Sequence, residues 1–435
     1  MPAIAPLAWY GALFGLFLAI VLILKKFNPV YSLFFGAICG AIIGGADLPQ
    51  IVTMLTTGTQ SVMGTVIRVL AAGILAGVMM ESGAAETIAD TIVKKFGESK
   101  AIIALALATM IITSIGVFIP VAVLIVAPIA LSVGNKIGVS KIGLLLALSG
   151  GGKAGNIISP NPNAIAAANG FHISLSDVMI AGYSAAAVGL IVTIIIASII
   201  KHKGVQVTDH EVAQLGSHEV KKELPPLNKA IIAPIVAITL LMVNPIGSIL
   251  HIPELAKMKL DAMYVLPLAG IIGLFAMGMK NKIVAYSSIG LDRMTPTVLI
   301  LIGAGAIAGL IAASDLSAQV VHIIEVAGIS GTFLAPISGI LMAGATASTS
   351  TGVILATGTF GNAISHVGIS SVAAAVMVHT GATVIDALPH GTYFHVTANS
   401  MNMSIKQRMS IFPYEVIVGG SMTLLATILY GFILK

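Results

Sequence analysis

Ionisable and polar side chains cluster in two short runs of an otherwise apolar chain. Lys153 lies in the run 149–163, and Asp386 lies in the run 380–392. An ionisable residue among apolar neighbours is costly in a membrane and is a functional candidate by default. Asp386 can load and release a proton there, or it can be a structural partner of backbone amides. Lys153 can fix a substrate carboxylate, pair with Asp386 when the site is empty, or snorkel to an interface.

The same runs supply amide, hydroxyl and imidazole groups that suit a small carboxylate or polyhydroxylated ligand. In the first half of the chain, the candidate substrate ligands are Lys153, Asn156, Ser159, Asn161 and Asn163. In the second half, they are Ser348, Thr349, Ser350, Thr380, Thr383 and His390. The proton-coupling candidates are Asp386 and His379. For the hydroxyl-rich run 346–352, helix packing is the alternative, since small residues let membrane helices approach closely.

Interrupted helices must position these groups. The run 149–163 holds four glycines and two prolines, which predicts unwound backbone, with a surface loop as the alternative. Its counterpart, the run 380–392, contains Pro389 where the first run has Pro160. Unwound backbone at membrane depth is tolerated when it is buried in protein or lines a wet cavity. The helix N-termini at such a break attract anions.

Composition places the chain in the membrane. Of its 435 residues 57% are hydrophobic and 9% are charged, whereas soluble domains carry about 25% charged residues. The net charge of +5 reflects lysines that flank apolar runs, so no nucleic-acid partner is predicted. Residues 8–24 are predicted to be a first span rather than a removed signal peptide. Motifs of soluble enzymes are missing, so we expect a protein that is not an enzyme and needs no cofactor or metal.

The chain is predicted to be an internal duplication. Gly73 and Gly77 recur as Gly305 and Gly309, and other matched residues keep a separation of about 230. The predicted units are residues 1–200, a cytoplasmic linker at 201–229, and residues 230–435. Lysines near matched helices favour opposite orientations, although Lys257 and Lys259 argue against this. The predicted fold is an all-α polytopic membrane protein with two inverted structural repeats, broken helices and re-entrant hairpins, the usual build of a secondary transporter.

Three segments resemble the gluconate permease (GntP-like) family of proton symporters in the ion transporter superfamily. They are the signature-like stretch 81–97, the break 159–163, and the late segment Asp386-Ala-Leu-Pro-His390. The resemblance implies a homodimer in the bacterial inner membrane. It also implies proton-coupled uptake of small hydroxylated carboxylates, by an elevator motion. Gly151-Gly-Lys153 stands where gluconate carriers typically have a histidine-containing run.

The functional expectation is proton-coupled symport of a small organic anion, either a gluconate-like sugar acid or a hydroxycarboxylate. Sodium-coupled carboxylate transport or cation/proton antiport is the alternative. Unwound carbonyls together with Ser, Thr and Asn oxygens also suit Na⁺. The expected partners are therefore the anionic substrate, protons or Na⁺, the lipid bilayer and a second copy of the chain.

Overall fold

The computed structural model describes residues 7–211, 224–258, 260–326, 330–389 and 391–434. Within these ranges the chain is α-helical, with two isolated β-bridges and no β-strand. The fold class predicted from composition, an all-α polytopic membrane protein, is confirmed.

The first half begins with a hairpin of two apolar helices and ends with a long one. Its helices are α1 Trp9–Leu24, α2 Pro29–Ile43, α3 Leu48–Ser61, α4 Met63–Glu81, α5 Ala84–Phe96, α6 Ala101–Ser114, α7 Ile119–Ile137, α8 Lys141–Ile157, α9 Pro162–Gly170 and α10 Leu175–Ile200. Serine and asparagine side chains cap several of them; Ser140 caps α8 and Ser174 caps α10. Such caps satisfy first-turn N–H groups that have no partner inside the helix.

The second half follows the linker. Its helices are α11 Leu227–Ala230, α12 Ile232–Ile249, α13 Pro253–Lys257, α14 Ala262–Ala276, α15 Ile283–Ala312, α16 Leu316–Val326, α17 Leu334–Thr346, α18 Thr349–His366, α19 Ser371–Gly381, α20 Thr392–Ser400, α21 Ile405–Met409 and α22 Phe412–Ile428, which a π-helical turn Leu429–Ile433 extends. Proline at the second position of α22 suits a helix start, where no backbone N–H is needed.

The order of elements repeats between the halves. A 3₁₀ turn at Glu98–Lys100 precedes α6, and another at Gly331–Phe333 precedes α17. Each turn is followed by an interrupted helix pair, which is α6 and α7 in the first half and α17 and α18 in the second. Then come one further helix (α8 or α19), a short helix (α9 or α20) and a long final segment (α10, or α21 with α22). This order agrees with an internal duplication. The inverted orientation of the two copies remains a prediction.

Several helices are long and apolar enough to cross a bilayer. Five segments of the described ranges meet this condition, namely Met63–Glu81, Ile119–Ile137, Leu175–Ile200, Lys280–Ala312 and Ile405–Ile433. A sixth candidate is the pair α5 and α6, which is bent by 106°. Shorter apolar helices of the described ranges include α1, α2 and α14.

Glycines bring the helices into backbone contact. On α4, a Cβ at Gly77 would lie 2.6 Å from Gly290 Cα of α15. On α3, a Cβ at Gly58 would lie 2.6 Å from Gly309 Cα of the same helix. Real Cβ atoms do not approach so closely, so these crossings require glycine. The glycines that mark the repeat in the sequence therefore serve helix packing.

The prediction that residues 149–163 are unwound is wrong for the first part of the run. Helix α8 continues through the glycines to Ile157, and the break is confined to residues 158–161. A Cβ at Gly151 or Gly155 would collide with the backbone of α6 at Ala106 or Met110. The glycines therefore permit close packing, which offsets their helix cost of about 1 kcal/mol each. The break occurs at the proline-containing part of the run.

The described part of the linker folds against the first half. Residues 212–223 lie outside the described residues. Lys141 Nζ at the start of α8 pairs with Glu211, and Thr87 Oγ1 of α5 donates to Pro225 O at 2.8 Å. Burial opposes ionisation of Glu211, but the hydrogen bond from Lys141 helps to hold the pKa of this carboxyl below its ordinary value. The three-part domain division itself stays a prediction.

Candidate functional site

Four interruptions between helices surround one cavity of about 760 Å³. They are residues 115–118 between α6 and α7, 158–161 between α8 and α9, 347–348 between α17 and α18, and 382–391 between α19 and α20. Residues in or beside each interruption line the cavity, among them Phe118, Asn156, Asn163, Ser348 and Asp386. The cavity thus draws its wall from both halves of the chain.

The N-terminal residues of four helices lie in this wall. They are Ile119–Val121 of α7, Asn163 of α9, Thr349–Thr351 of α18, and Thr392 and Tyr393 of α20. First-turn N–H groups lack intrahelical partners, and the helix dipole places partial positive charge at this end. Side-chain caps satisfy some of these N–H groups. The Asn161 side chain accepts from Asn163 N at 2.8 Å, and the Ser348 side chain accepts from Thr351 N at 3.3 Å.

The charged side chains in the wall are mostly basic. Lys26 and Arg293 line the cavity, and Asp386 is the one carboxylate among the described lining residues. Arg293 Nη2 lies 3.3 Å from Glu81 Oε1 in a partly exposed pair. Basic groups together with helix N-termini make this cavity suited to an anion.

A buried ion pair closes the inner end of the site. Lys153 Nζ lies 2.5 Å from Asp386 Oδ1, and the two side chains are 0% and 3% exposed. Lys153 also donates to the carbonyl oxygen of Thr383, and Thr349 Oγ1 donates to Asp386 Oδ2 at 2.6 Å. The pair joins the first half of the chain to the second. Because two charges without water are costly unless they are paired, each residue depends on the other.

A second polar contact joins the halves at the cavity wall. Ser350 Oγ of α18 donates to Asn163 Oδ1 at the start of α9. Asn161 Nδ2 in turn donates to Asn156 O at 2.7 Å. The starts of α9 and α18 are thus held together where the two halves meet.

The structure brings half of the predicted site residues to the cavity. Those that line it are Asn156, Asn163, Ser348, Thr349, Ser350 and Asp386. Lys153, Ser159, Asn161, Thr380, Thr383 and His379 are buried behind the wall. His390 lies outside the described residues.

Besides Lys153, three of the buried residues bond to the protein's own backbone. Thr380 Oγ1 donates to Val376 O and Thr383 Oγ1 donates to Thr380 O, while Asn161 caps α9. These hydrogen bonds give the three side chains a structural role in the fold. Direct contact between these side chains and a substrate stays a prediction. His379 is fully buried, and neither ring nitrogen has a hydrogen-bond partner among the described residues.

Sequence analysis missed a second buried ion pair next to the cavity. Arg408 Nη1 lies 2.7 Å from Glu415 Oε2, and both side chains are 0% exposed. Tyr393, which lines the cavity, donates from its hydroxyl to Glu415 Oε1 at 3.1 Å. The signal that the sequence offers is the two opposite charges, Arg408 and Glu415, seven positions apart at the start of an apolar stretch.

A larger cavity of about 940 Å³ lies at the other ends of the same helices. Its wall includes Asn169 and Gly170 at the end of α9, and Thr357 and Asn362 of α18. No lysine or arginine is among its described lining residues. The smaller cavity is therefore the candidate anion site, and the larger one lies on the opposite side of α9 and α18.

The apolar helices and the cavity at their interruptions define a multi-pass membrane transporter. The chain matches the family model described as GntP family permease over residues 7–433, and it belongs to this family. A protein of Haemophilus influenzae named an uncharacterised transporter is 48% identical over 421 residues, 97% of each chain. The gluconate permease of Zymomonas mobilis is 27% identical over 175 residues, which is 40% of this chain and 39% of its own length.

A solved transporter has the same overall fold. The YdaH transporter of Alcanivorax borkumensis, whose topology is described as unusual, aligns with a TM-score of 0.68 at 15% identity. The match covers 89% of this chain and 90% of the other. The family resemblance found in the sequence is confirmed. The protein is a permease of the bacterial inner membrane, with several apolar helices, rather than an enzyme.

Proposed function

We propose that this permease takes up a small hydroxylated carboxylate together with a proton, by alternating access to the smaller cavity. The observation that carries the proposal is the meeting of four helix N-termini around one cavity whose wall also holds the basic side chains of Lys26 and Arg293. Such a wall binds a carboxylate, and its hydroxyl and amide groups suit a polyhydroxylated chain. The naming of several relatives as gluconate permeases supports this substrate class.

The buried ion pair explains why a proton would accompany the anion. Lys153 and Asp386 together carry no net charge in the empty site. A substrate carboxylate that reaches Lys153 adds one negative charge to a site without water, which is unfavourable unless a positive charge enters too. Protonation of Asp386 supplies that charge and frees Lys153 for the substrate. One proton per carboxylate keeps the loaded site neutral.

Sodium coupling is the second candidate, and one observation disfavours it. The ammonium of Lys153 already occupies the position between the Thr383 carbonyl and Asp386, the one carboxylate among the described lining residues, where a Na⁺ ion would find a charged ligand. A cation at this position would have to displace a buried lysine.

The two cavities suggest how access alternates. Helices α9 and α18 each reach from one cavity to the other. Displacement of these helices past α4 and α15 would move the substrate site from one side to the other, as in an elevator. Inverted repeats fit this motion, because two mirrored copies give two equivalent end states. The homodimer belongs to the same proposal and follows from the family resemblance.

Uptake into proteoliposomes tests the proposal. Purified protein is given radiolabelled D-gluconate, D-glycerate, L-lactate and D-galactonate, with and without a pH gradient, Na⁺ and a protonophore. We expect at least one of these anions to accumulate when the interior is alkaline, without Na⁺, and to lose accumulation with the protonophore. Accumulation that requires Na⁺ and ignores the pH gradient would replace proton coupling by sodium coupling. No uptake of any hydroxycarboxylate under either gradient would refute the substrate class.

A further inference from the structure

The buried ion pair of Arg408 with Glu415 fixes the hydrogen bond that the Tyr393 hydroxyl donates at the cavity wall. Glu415 is 0% exposed and accepts three hydrogen bonds. Two come from Arg408, at 2.7 and 3.0 Å, and one comes from the Tyr393 hydroxyl at 3.1 Å. A carboxylate with a bidentate guanidinium partner is ionised and can only accept. The hydroxyl proton of Tyr393 is therefore committed to Glu415.

The ring of Tyr393 is fixed as firmly as its proton. Arg408 lies over the Tyr393 ring at 5.5 Å and over the Phe394 ring at 5.1 Å. Arg408 Nε also donates to Thr397 Oγ1 at 2.8 Å, which anchors the guanidinium to α20. The ion pair thus orients the phenol of Tyr393, which is one of the residues that line the cavity.

A phenol has one proton to donate. Since that proton points at Glu415, the oxygen of Tyr393 can offer only its lone pairs to the cavity. We propose that Tyr393 is a specificity-determining residue, which accepts a hydrogen bond from a substrate hydroxyl and so selects hydroxylated carboxylates over their deoxy analogues. Arg408 and Glu415 are then its positioning residues. This inference rests on the proposed function and names the group that recognises the substrate's hydroxyl.

The selection follows from the cost of a missing bond. A solute without the hydroxyl leaves the acceptor of Tyr393 without a partner in the closed site, and an unmade hydrogen bond costs more than a made one contributes. A site built to bond a hydroxyl rejects the analogue that lacks it. We expect a preference of about tenfold in Vmax/KM at one hydroxyl position of the substrate.

The test compares each hydroxycarboxylate with its deoxy partner in proteoliposomes. The pairs are D-gluconate with its 2-deoxy and 3-deoxy forms, D-glycerate with D-lactate and 3-hydroxypropionate, and L-lactate with propionate. For at least one pair, the wild-type protein is expected to prefer the hydroxylated member, and Tyr393→Phe is expected to reduce that preference to about twofold or less. Tyr430→Phe is the matched control, because the Tyr430 hydroxyl donates to Ala181 O at 2.7 Å and lies outside the cavity wall.

A second variant separates recognition from structure. Replacing Tyr393 with p-aminophenylalanine keeps the ring and a donor toward Glu415, and turns a second N–H toward the cavity in place of the lone pairs. A purely structural role of Tyr393 predicts that this variant keeps the wild-type preference. Our proposal predicts that it loses the preference, whether or not Tyr393→Phe folds.

The outcomes distinguish the two proposals. If the wild-type protein transports none of these anions, the proposed function fails and this inference fails with it. If it transports them with no preference, or if the p-aminophenylalanine variant keeps the wild-type preference, only the role of Tyr393 is overturned. Loss of the preference in Tyr430→Phe as well would also overturn it.

Discussion

Asp386→Asn is expected to abolish proton-driven accumulation of substrate while leaving substrate exchange intact. An amide cannot carry the coupling proton. The variant resembles the carrier with Asp386 protonated, in which Lys153 is free to bind the substrate carboxylate. A loaded carrier can still move, so labelled substrate on one side can exchange for unlabelled substrate on the other. The empty carrier, with Lys153 buried and without its counter-charge, is disfavoured and returns poorly.

The size of the effect follows from the gradient. For one proton per anion, each pH unit supports about tenfold accumulation, so a gradient of two units supports about a hundredfold. Asp386→Asn should lose all of this accumulation and keep counterflow within about threefold of the wild-type rate. Asp209→Asn is the matched control, since Asp209 is an exposed carboxylate on the linker. Undiminished accumulation by Asp386→Asn would remove Asp386 from the coupling step.

Arg408→Met is expected to cause the largest loss of stability of the substitutions considered. The change leaves Glu415 with no guanidinium partner at a position that is 0% exposed. Breaking a buried pair in this way costs about 3–5 kcal/mol. The double variant Arg408→Met with Glu415→Met should recover most of this loss, because it removes both charges and leaves none without a partner. Denaturant titration in detergent micelles measures the free energy of unfolding of each variant.

A second arginine provides the comparison. Arg68 Nη2 lies 2.6 Å from Asp261, but these side chains are 26% and 30% exposed. Water solvates both groups, so Arg68→Met should cost only about 1 kcal/mol. Equal losses for the two arginine variants, or no recovery in the double variant, would contradict burial as the source of the effect.

The pairing of Lys153 with Asp386 shows what sequence reasoning can reach. Two ionisable residues in matched apolar settings must find partners, and few partners exist in such a chain. The contact was therefore one of a small number of possibilities, and the structure shows it at 2.5 Å. The interruption around Pro389 was also predictable, because proline and glycine together disfavour helix.

Helix α8 shows where the same reasoning fails. Glycines at 150–152 lower local helix propensity, but propensity is a weak prior against tertiary packing. The backbone of α6 at Ala106 lies against Gly151, and this contact determines the residue type. The sequence of α8 alone does not predict that α6 packs against these glycines.

The role of Tyr393 was out of reach for a similar reason. Its partners Arg408 and Glu415 belong to the next two helices, and the bond that orients its proton exists only when the three elements have packed. Sequence predicts that a charge in an apolar run needs a partner. It does not predict which neighbouring side chain the resulting pair will orient.

The central claim is that the substrate carboxylate binds among the helix N-termini of the smaller cavity and takes Lys153 from Asp386. Cryo-electron microscopy of the protein in nanodiscs, with the best-transported hydroxycarboxylate bound at low pH, tests it most directly. We predict carboxylate density between Lys153 and the starts of α18 and α20, with Lys153 Nζ more than about 4 Å from Asp386. Substrate density in the larger cavity, with the ion pair still closed, would contradict the account.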